Sequence, residues 1–393
     1  MRYLMIHDAF PGQFIHLFRH LHRAGDNEII VAARKGSTLK LPVKQIVYEV
    51  PNKEGEEPPR GPLAVAALGH DLYNKLKPLA DEGWQPDCIL VHASRGASYF
   101  MRELFPKARI TAFLEWYYND PPAGSVSNAR AFYQQCANNS AGNAVLARDF
   151  DQSDAAYAPT QFQKSQFPRR WQPAIEVCHE GIDTTLYSAD PAATLTLGDT
   201  VFDGSMEVVT YAARGMEKTR GFPQFMMAIA ELQKQRPNCH VIIAAKDRIC
   251  YDPGGRGKKG LKKWAETKVD YDPDRTHFAG LLPEREFARM LQISSLHVYL
   301  SNPFVLSWSV LNAMSAGAPV LASDNAPVRE VIKDGENGLM VDPNNITLIT
   351  KRMTEALDDN DLHAKLSESA RQTILDRFKL EDTLRAQLAL LRG

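Results

Sequence analysis

Residues 297–335, HVYLSNPFVLSWSVLNAMSAGAPVLASDNAPVREVIKDG, read as strand, loop, short helix, strand, loop and helix start. His297–Leu300 is a compact β-rich run that Ser301-Asn302-Pro303 breaks. Ser307 is placed to cap a helix over Trp308–Ala316, and Gly317 with Pro319 stops it. That helix is apolar except at Ser309, Asn312 and Ser315. An amide at 312 is either a buried polar group needing partners or a donor and acceptor turned to a ligand. The free N–H groups of such a helix start point at the preceding loop, where a phosphate binds readily.

Outward from this unit the same alternation runs through the chain. RYLMIHDAF at 2–10 is a nearly continuous apolar strand, followed by Pro11-Gly12 and a helical pattern through Phe14, Leu17, Phe18 and Leu21. Further strands are predicted near 28–33, 44–50, 88–93, 109–114, 155–159 and 175–179, with helices near 63–82, 96–104 and 127–149. From 183 to 205 the periodicity fades into a predicted linker. It restarts with a strand at 207–213, a helix at 222–235, a strand at 240–245 and a helix at 284–292. Residues 251–275, rich in Gly, Asp and Lys, read as a long and partly mobile insertion. Helices near 346–358 and 361–391 close the chain. Alternating β and α over this length predicts an α/β protein of two doubly wound domains. The expected boundaries are 1–185, with the C-terminal helix about 375–393 packing back on it, and 206–374.

Composition narrows the class. A chain of 393 residues is too long for one ordinary core, and 44% hydrophobic with 24% charged residues is a globular balance. The formal net charge of -1 argues against a general nucleic-acid binder. Cysteines 88, 136, 178, 239 and 250 show no C-x-x-C spacing and read as reduced thiols. No run of about 18 apolar residues occurs, and MRYLMIHDAF lacks the regions of a signal peptide. A cytoplasmic protein is expected.

ARGMEKTRGF at 213–222, the block P-F-V-x-S-x-x-x-L-x-A-M-x-A-G-x-P-V from Pro303 and G-x-N-G-L at 335–339 follow one another in a fixed order. Together they resemble the retaining glycosyltransferases of family 4, most specifically between 207 and 342. The resemblance implies a GT-B fold, two Rossmann-like domains facing across a cleft. It also implies transfer of a hexose from a nucleoside diphosphate sugar (UDP- or GDP-linked) to an acceptor glycan, lipid or small molecule, without cofactor or metal. Two rivals stay open: a nucleotide-sugar binding protein that has lost turnover, and a GT-B-like epimerase or phosphorylase.

The candidate site residues follow. Arg214 and Arg220, with Lys218 between them, can stabilise the charge growing on a departing diphosphate, as fixed guanidinium groups do without a metal. The family carries an Arg and a Lys here at a spacing one residue shorter. Gly12 follows the first strand, where a missing side chain lets the backbone approach a ligand, and the resemblance makes that ligand the donor's phosphate. His92 ends CILVH at a carboxyl edge, where open α/β sheets bind ligands, and the resemblance turns it to the sugar. Glu115, before Trp116-Tyr117-Tyr118, suits acceptor binding. The family's E-x7-E pair falls on Phe304 and Asn312, so both carboxylates are absent. Backbone groups of Val305 and Leu306 remain as donor contacts. Asp149-Phe150-Asp151 mimics a D-x-D metal motif but reads as structural. His16, His20 and His22 with Arg19 and Arg23 form a basic helix face, solvated or touching anionic membrane at the periphery of the inner membrane.

Overall fold

In a computed structural model the described residues are 1–36, 40–51, 62–120, 129–252, 255 and 257–393. They form two compact units, Met1–Gly181 with Glu381–Gly393, and Ile182–Leu380. Among the described residues no helix is long and apolar enough to cross a membrane.

The first unit is built on seven strands: β1 Arg2–Ile6, β2 Glu28–Arg34, β3 Lys44–Tyr48, β4 Cys88–His92, β5 Arg109–Phe113, β6 Ala155–Ala158 and β7 Ile175–Val177. Their order is β3-β2-β1-β4-β5-β6-β7, every pair parallel. A parallel strand is covered on both faces, which is why β1 and β4 are apolar without alternation. The order reverses at β1, and open α/β sheets take ligands at the carboxyl ends of the strands beside such a reversal. Pairing of Ile6 with Val91 brings His7 and His92 to this edge as neighbours.

The helix Leu380–Arg392 returns to this unit from the far end of the chain. Arg392 Nε donates to the Tyr3 hydroxyl at 2.9 Å, Arg109 Nε to the Leu390 carbonyl at 3.1 Å and Gln387 Nε2 to the His179 carbonyl at 2.9 Å.

The second unit opens with an antiparallel hairpin, β8 Thr194–Leu197 and β9 Thr200–Asp203. Its main sheet holds β10 Val208–Gly215, β11 His240–Lys246, β12 Thr276–Phe278, β13 Leu296–Tyr299, β14 Val320–Ser323 and β15 Leu339–Val341. The order β12-β11-β10-β13-β14-β15 is again parallel and reverses at β10. Side chains alternate between two apolar layers, as a period of two requires. Along β11, Ile242 and Ala244 enter one layer with Val310, Leu311 and Ile374, while Val241 and Ile243 enter the other with Phe225, Ile229 and Met353.

Five sequence expectations are corrected. The linker at 183–205 contains the β8–β9 hairpin inside the second unit, because Leu195 and Phe202 bury themselves in its core while Thr194, Thr196 and Val201 stay exposed. The insertion at 251–275 contains the helix Lys262–Lys268, and Tyr251 and Asp252 are tied to the loop after β10; its residues 253, 254 and 256 lie outside the described residues. The helix near 96–104 is only Met101–Leu104, since a bonded loop held by Asp149 occupies 93–98. The terminal helix breaks after Arg377: Ile182 N–H donates to the Phe378 carbonyl at 2.8 Å and Leu380 N–H to the Ile182 carbonyl at 3.0 Å. The helix expected from 127 is Ala129–Gln152, and 127–128 lie outside the described residues.

Candidate functional site

In the second unit the carboxyl end of β10 runs into the short 3-10 turn Lys218–Arg220 and then into the helix Phe222–Gln235. Gly221 joins them in the left-handed region, φ 63°, and a Cβ there would meet Leu300 Cβ at 2.3 Å. Only glycine satisfies both demands. Arg220 is turned inward by this turn and is 7% exposed. Its Nη1 donates to the Tyr299 hydroxyl at 2.9 Å and to the Val305 carbonyl at 3.3 Å. The rings of Tyr251, Phe304 and Tyr299 surround the guanidinium at 5.1, 5.7 and 6.0 Å. Among the described residues no carboxylate pairs with it. A guanidinium keeps its charge in any protein environment, so Arg220 carries a buried positive charge that no carboxylate among the described residues offsets.

The loop between β13 and the helix Trp308–Ala316 is fixed from several sides. Ser301 N–H donates to Ser323 Oγ at 2.9 Å, Asn325 Nδ2 to the Ser301 carbonyl at 2.9 Å, and Asn302 N–H to the Thr219 carbonyl at 2.9 Å. Ser307 N–H donates to the Tyr299 hydroxyl at 3.1 Å, so Tyr299 accepts from both Arg220 and this loop. Ser307 Oγ caps the helix by accepting from Ser309 N–H at 3.2 Å, and Gly317 ends it at φ 80°.

The expected donor residues divide accordingly. Arg220, Phe304 and Val305 are in mutual contact, while Leu306 directs its side chain into the core. Arg214 and Lys218 are exposed, and the Arg214 carbonyl accepts from Arg248 Nε at 3.1 Å. Asn312 is 6% exposed, and its amide makes no hydrogen bond among the described residues.

In the first unit Gly12, His92 and Glu115 meet at the edge where β1 and β4 end. Ala9 N–H donates to His7 Nδ1 at 3.0 Å, which leaves the proton of the neutral ring on Nε2. His7 Nε2 then donates to Gln13 Oε1 at 2.9 Å, and Gln13 Nε2 donates to Glu115 Oε1 at 2.5 Å. His92 Nε2 lies 3.5 Å from Glu115 Oε2, and the two imidazoles lie 4.4 Å apart. The space that Gly12 leaves is filled by His7, whose Nε2 would lie 2.3 Å from an added Cβ.

Burial and the neighbouring His92 hold His7 down to about 3. For Glu115, burial alone would raise the pKa, but the hydrogen bond and charge of His92, with Arg95 and His7, outweigh it and hold the carboxyl to about 2. The Glu115 side chain is 26% exposed. It is therefore an ionised hydrogen-bond acceptor turned partly outward, and too weak a base to remove a hydroxyl proton.

Asp149 is buried, accepting from Ser94 N–H at 2.8 Å and Ser98 Oγ at 2.5 Å, and it fixes the loop that follows His92. Burial raises its pKa to about 6. Among the described residues no group of three or more His, Cys, Asp or Glu could hold a metal.

Several residues at these two edges escaped the sequence reading: His7, Gln13, Arg95, Tyr251 and Tyr299. A signal for His7 exists, because two strands ending in His become neighbours once the order 3-2-1-4 is assigned. Tyr299 ends a strand beside the reversal in the same way. Nothing local marks Tyr251.

Two parallel α/β units, each reversing its strand order above such an edge, define the GT-B fold, and solved structures agree. A sucrose-phosphate synthase from Thermosynechococcus elongatus superposes with TM-score 0.72 at 15% identity, covering 100% of this chain and 98% of that one. Anabaena Alr3699/HepE in complex with UDP-glucose gives TM-score 0.70 at 14% identity, covering 99% of each. The chain belongs to the family 4 type of GT-B glycosyltransferases: residues 25–187 match the Glycosyl transferase family 4 group and residues 199–373 match Glycosyl transferases group 1. A curated relative is the GDP-mannose-dependent alpha-(1-6)-phosphatidylinositol monomannoside mannosyltransferase of Mycobacterium tuberculosis. It is 23% identical over 268 residues, 63% of this chain and 64% of that protein. The chain spans less than two thirds of the length of the curated relatives it matches.

Proposed function

We propose that this chain transfers a hexose from a nucleoside diphosphate sugar to an acceptor hydroxyl with retention at the anomeric carbon. The observation that carries this reading is Arg220, a buried guanidinium without a carboxylate partner at the carboxyl edge of the β10 reversal. The donor diphosphate lies against Arg220, with exposed Arg214 and Lys218 at the rim, the helix start after Ser307 and Asn312 beside the nucleoside. In the first unit Glu115, with His92, Gly12 and Gln13 around it, accepts a hydrogen bond from the acceptor. The bond from the anomeric carbon to the acceptor oxygen forms as the bond to the diphosphate oxygen breaks, on one face of the sugar. The acceptor's proton passes to the departing diphosphate, whose charge Arg220 stabilises. No metal takes part, so transfer persists in chelator.

The relatives' descriptions name GDP-mannose for one and UDP-glucose for another, so both bases belong in the test. Calorimetry with UDP, GDP and their sugars finds at least one that binds, and Arg220→Ala weakens that binding by roughly 10–100-fold, the worth of one charge-assisted contact. Unchanged binding in a folded Arg220→Ala protein rejects the assignment. A second reading, a nucleotide-sugar binding chain with little turnover, is favoured by Phe304 and Asn312 standing where the family carries carboxylates. Tight donor binding without hydrolysis or transfer to any acceptor would establish it instead.

A further inference from the structure

Glu217 is 0% exposed, directly before the turn that carries Arg220, and its carboxylate is spent on backbone. Its Oε2 accepts three successive N–H groups from the loop after β11: Cys250 at 3.0 Å, Tyr251 at 2.7 Å and Asp252 at 3.0 Å. Three consecutive amides converging on one oxygen form an anion nest, here filled by the protein itself. The arrangement is reciprocal, since Asp252 accepts Lys218 N–H at 2.9 Å and Thr219 N–H at 2.7 Å. Each loop thus gives its amides to the other loop's carboxylate.

Glycines let the two loops come this close. A Cβ on Gly215 would lie 2.3 Å from the Arg248 carbonyl oxygen, and one on Gly260 would lie 2.7 Å from Arg248 N and 2.9 Å from the Met216 carbonyl oxygen. A buried acid beside an anion site would ordinarily repel the ligand, and Glu217 Oε1 is buried with no hydrogen-bond partner among the described residues. The compensation is geometric. The clip fixes Tyr251, whose ring lies 5.1 Å from the Arg220 guanidinium and 5.4 Å from the Phe304 ring.

We propose that Glu217 and Asp252 are positioning residues that hold Tyr251 against Arg220 and so set the affinity of the second unit for a diphosphate. This rests on the proposed function of the Arg220 site. The cation–π contact orients the guanidinium while leaving its remaining N–H groups for the ligand.

The experiment measures binding of UDP, GDP and inorganic pyrophosphate by calorimetry, and the thermal midpoint of the ligand-free protein, in the parent and in Glu217→Gln, Asp252→Asn and Tyr251→Ala. Tyr251→Ala leaves both carboxylates and their amide partners in place, so it serves if Glu217→Gln fails to fold. Expected is a roughly tenfold rise in Kd for the diphosphates in Tyr251→Ala and Glu217→Gln, consistent with one lost orienting contact to a charged group. The affinity for uridine or guanosine, which carry no phosphate, stays unchanged, a split that general loosening of the fold would not give. A parent that binds diphosphates together with folded variants that bind them equally well overturns this inference alone. A parent that binds none of them overturns the Arg220 site, and this inference with it.

Discussion

Asn312 occupies a core position on its helix, flanked by Leu311 and Ala313, yet its amide finds no hydrogen-bond partner among the described residues. The amide is not among the fully buried side-chain atoms left without a partner, so solvent reaches it and no burial penalty attaches to it. Asn312→Leu is therefore expected to leave unfolding stability within about 0.5 kcal/mol of the parent while weakening nucleotide binding. Thermal unfolding and calorimetry on the same variant check both outcomes. Loss of stability would mean that the amide has a structural partner. Arg220 carries a buried charge: among the described residues no carboxylate pairs with the guanidinium, and the rings of Tyr251 and Phe304 surround it. Both positions were visible in the sequence as anomalies, one by its apolar neighbours and one by its place after a strand. Their surroundings were not, because Tyr251 and Val305 reach Arg220 from loops 31 and 85 residues away in the chain.

At the scale of elements, the helix Trp308–Ala316 was legible almost to the residue, since its cap and stop are local chemistry: Ser307 accepts from Ser309 N–H and Gly317 takes a positive φ. Ser307→Ala is expected to cost about 1 kcal/mol, the usual worth of such a cap, measured by chemical unfolding. Because Ser307 donates to Tyr299 through its backbone, the contact between Tyr299 and Arg220 survives the substitution. Elements that depend on distant partners were harder to read. Thr276–Phe278 and Leu339–Val341 are three-residue strands, too short to show a period, and exist because β11 and β14 offer them an edge. The β8–β9 hairpin keeps its period of two, but over four residues per strand it resembled a polar linker.

For the molecule as a whole, three buried histidines contribute to the response to acid. Burial holds His7, His179 and His297 down to about 3, from the ordinary 6.5. The unfolded chain takes protons near pH 6.5 that the folded state refuses, so stability is complete above that pH and is lost as pH falls towards 3. The loss is on the order of 1–2 kcal/mol per histidine by pH 5. Thermal midpoints are expected to drop steadily between pH 7 and pH 5 in both units, since His297 lies in the second and the other two in the first. Asp149 acts in the opposite direction. Its folded pKa is raised from 3.8 to about 6, so its share of stability is present at low pH and is lost as pH rises through 6. Asp149→Asn should therefore gain about 1 kcal/mol relative to the parent between pH 5 and pH 7.5, read from urea unfolding at the two values.

The helix Leu380–Arg392 returns to the unit that holds residue 1, which makes that unit discontinuous in the chain. During synthesis the ribosome delivers its strands first and this helix last, after the whole of the other unit. Until then Tyr3, Arg109 and the His179 carbonyl lack the partners that Arg392, Leu390 and Gln387 later supply. The second unit is continuous, so it can fold to completion while the first waits. Birth order and folding order of the two units are in this sense reversed. A nascent chain arrested before residue 381 is expected to resist protease in its second unit and to be cut in its first.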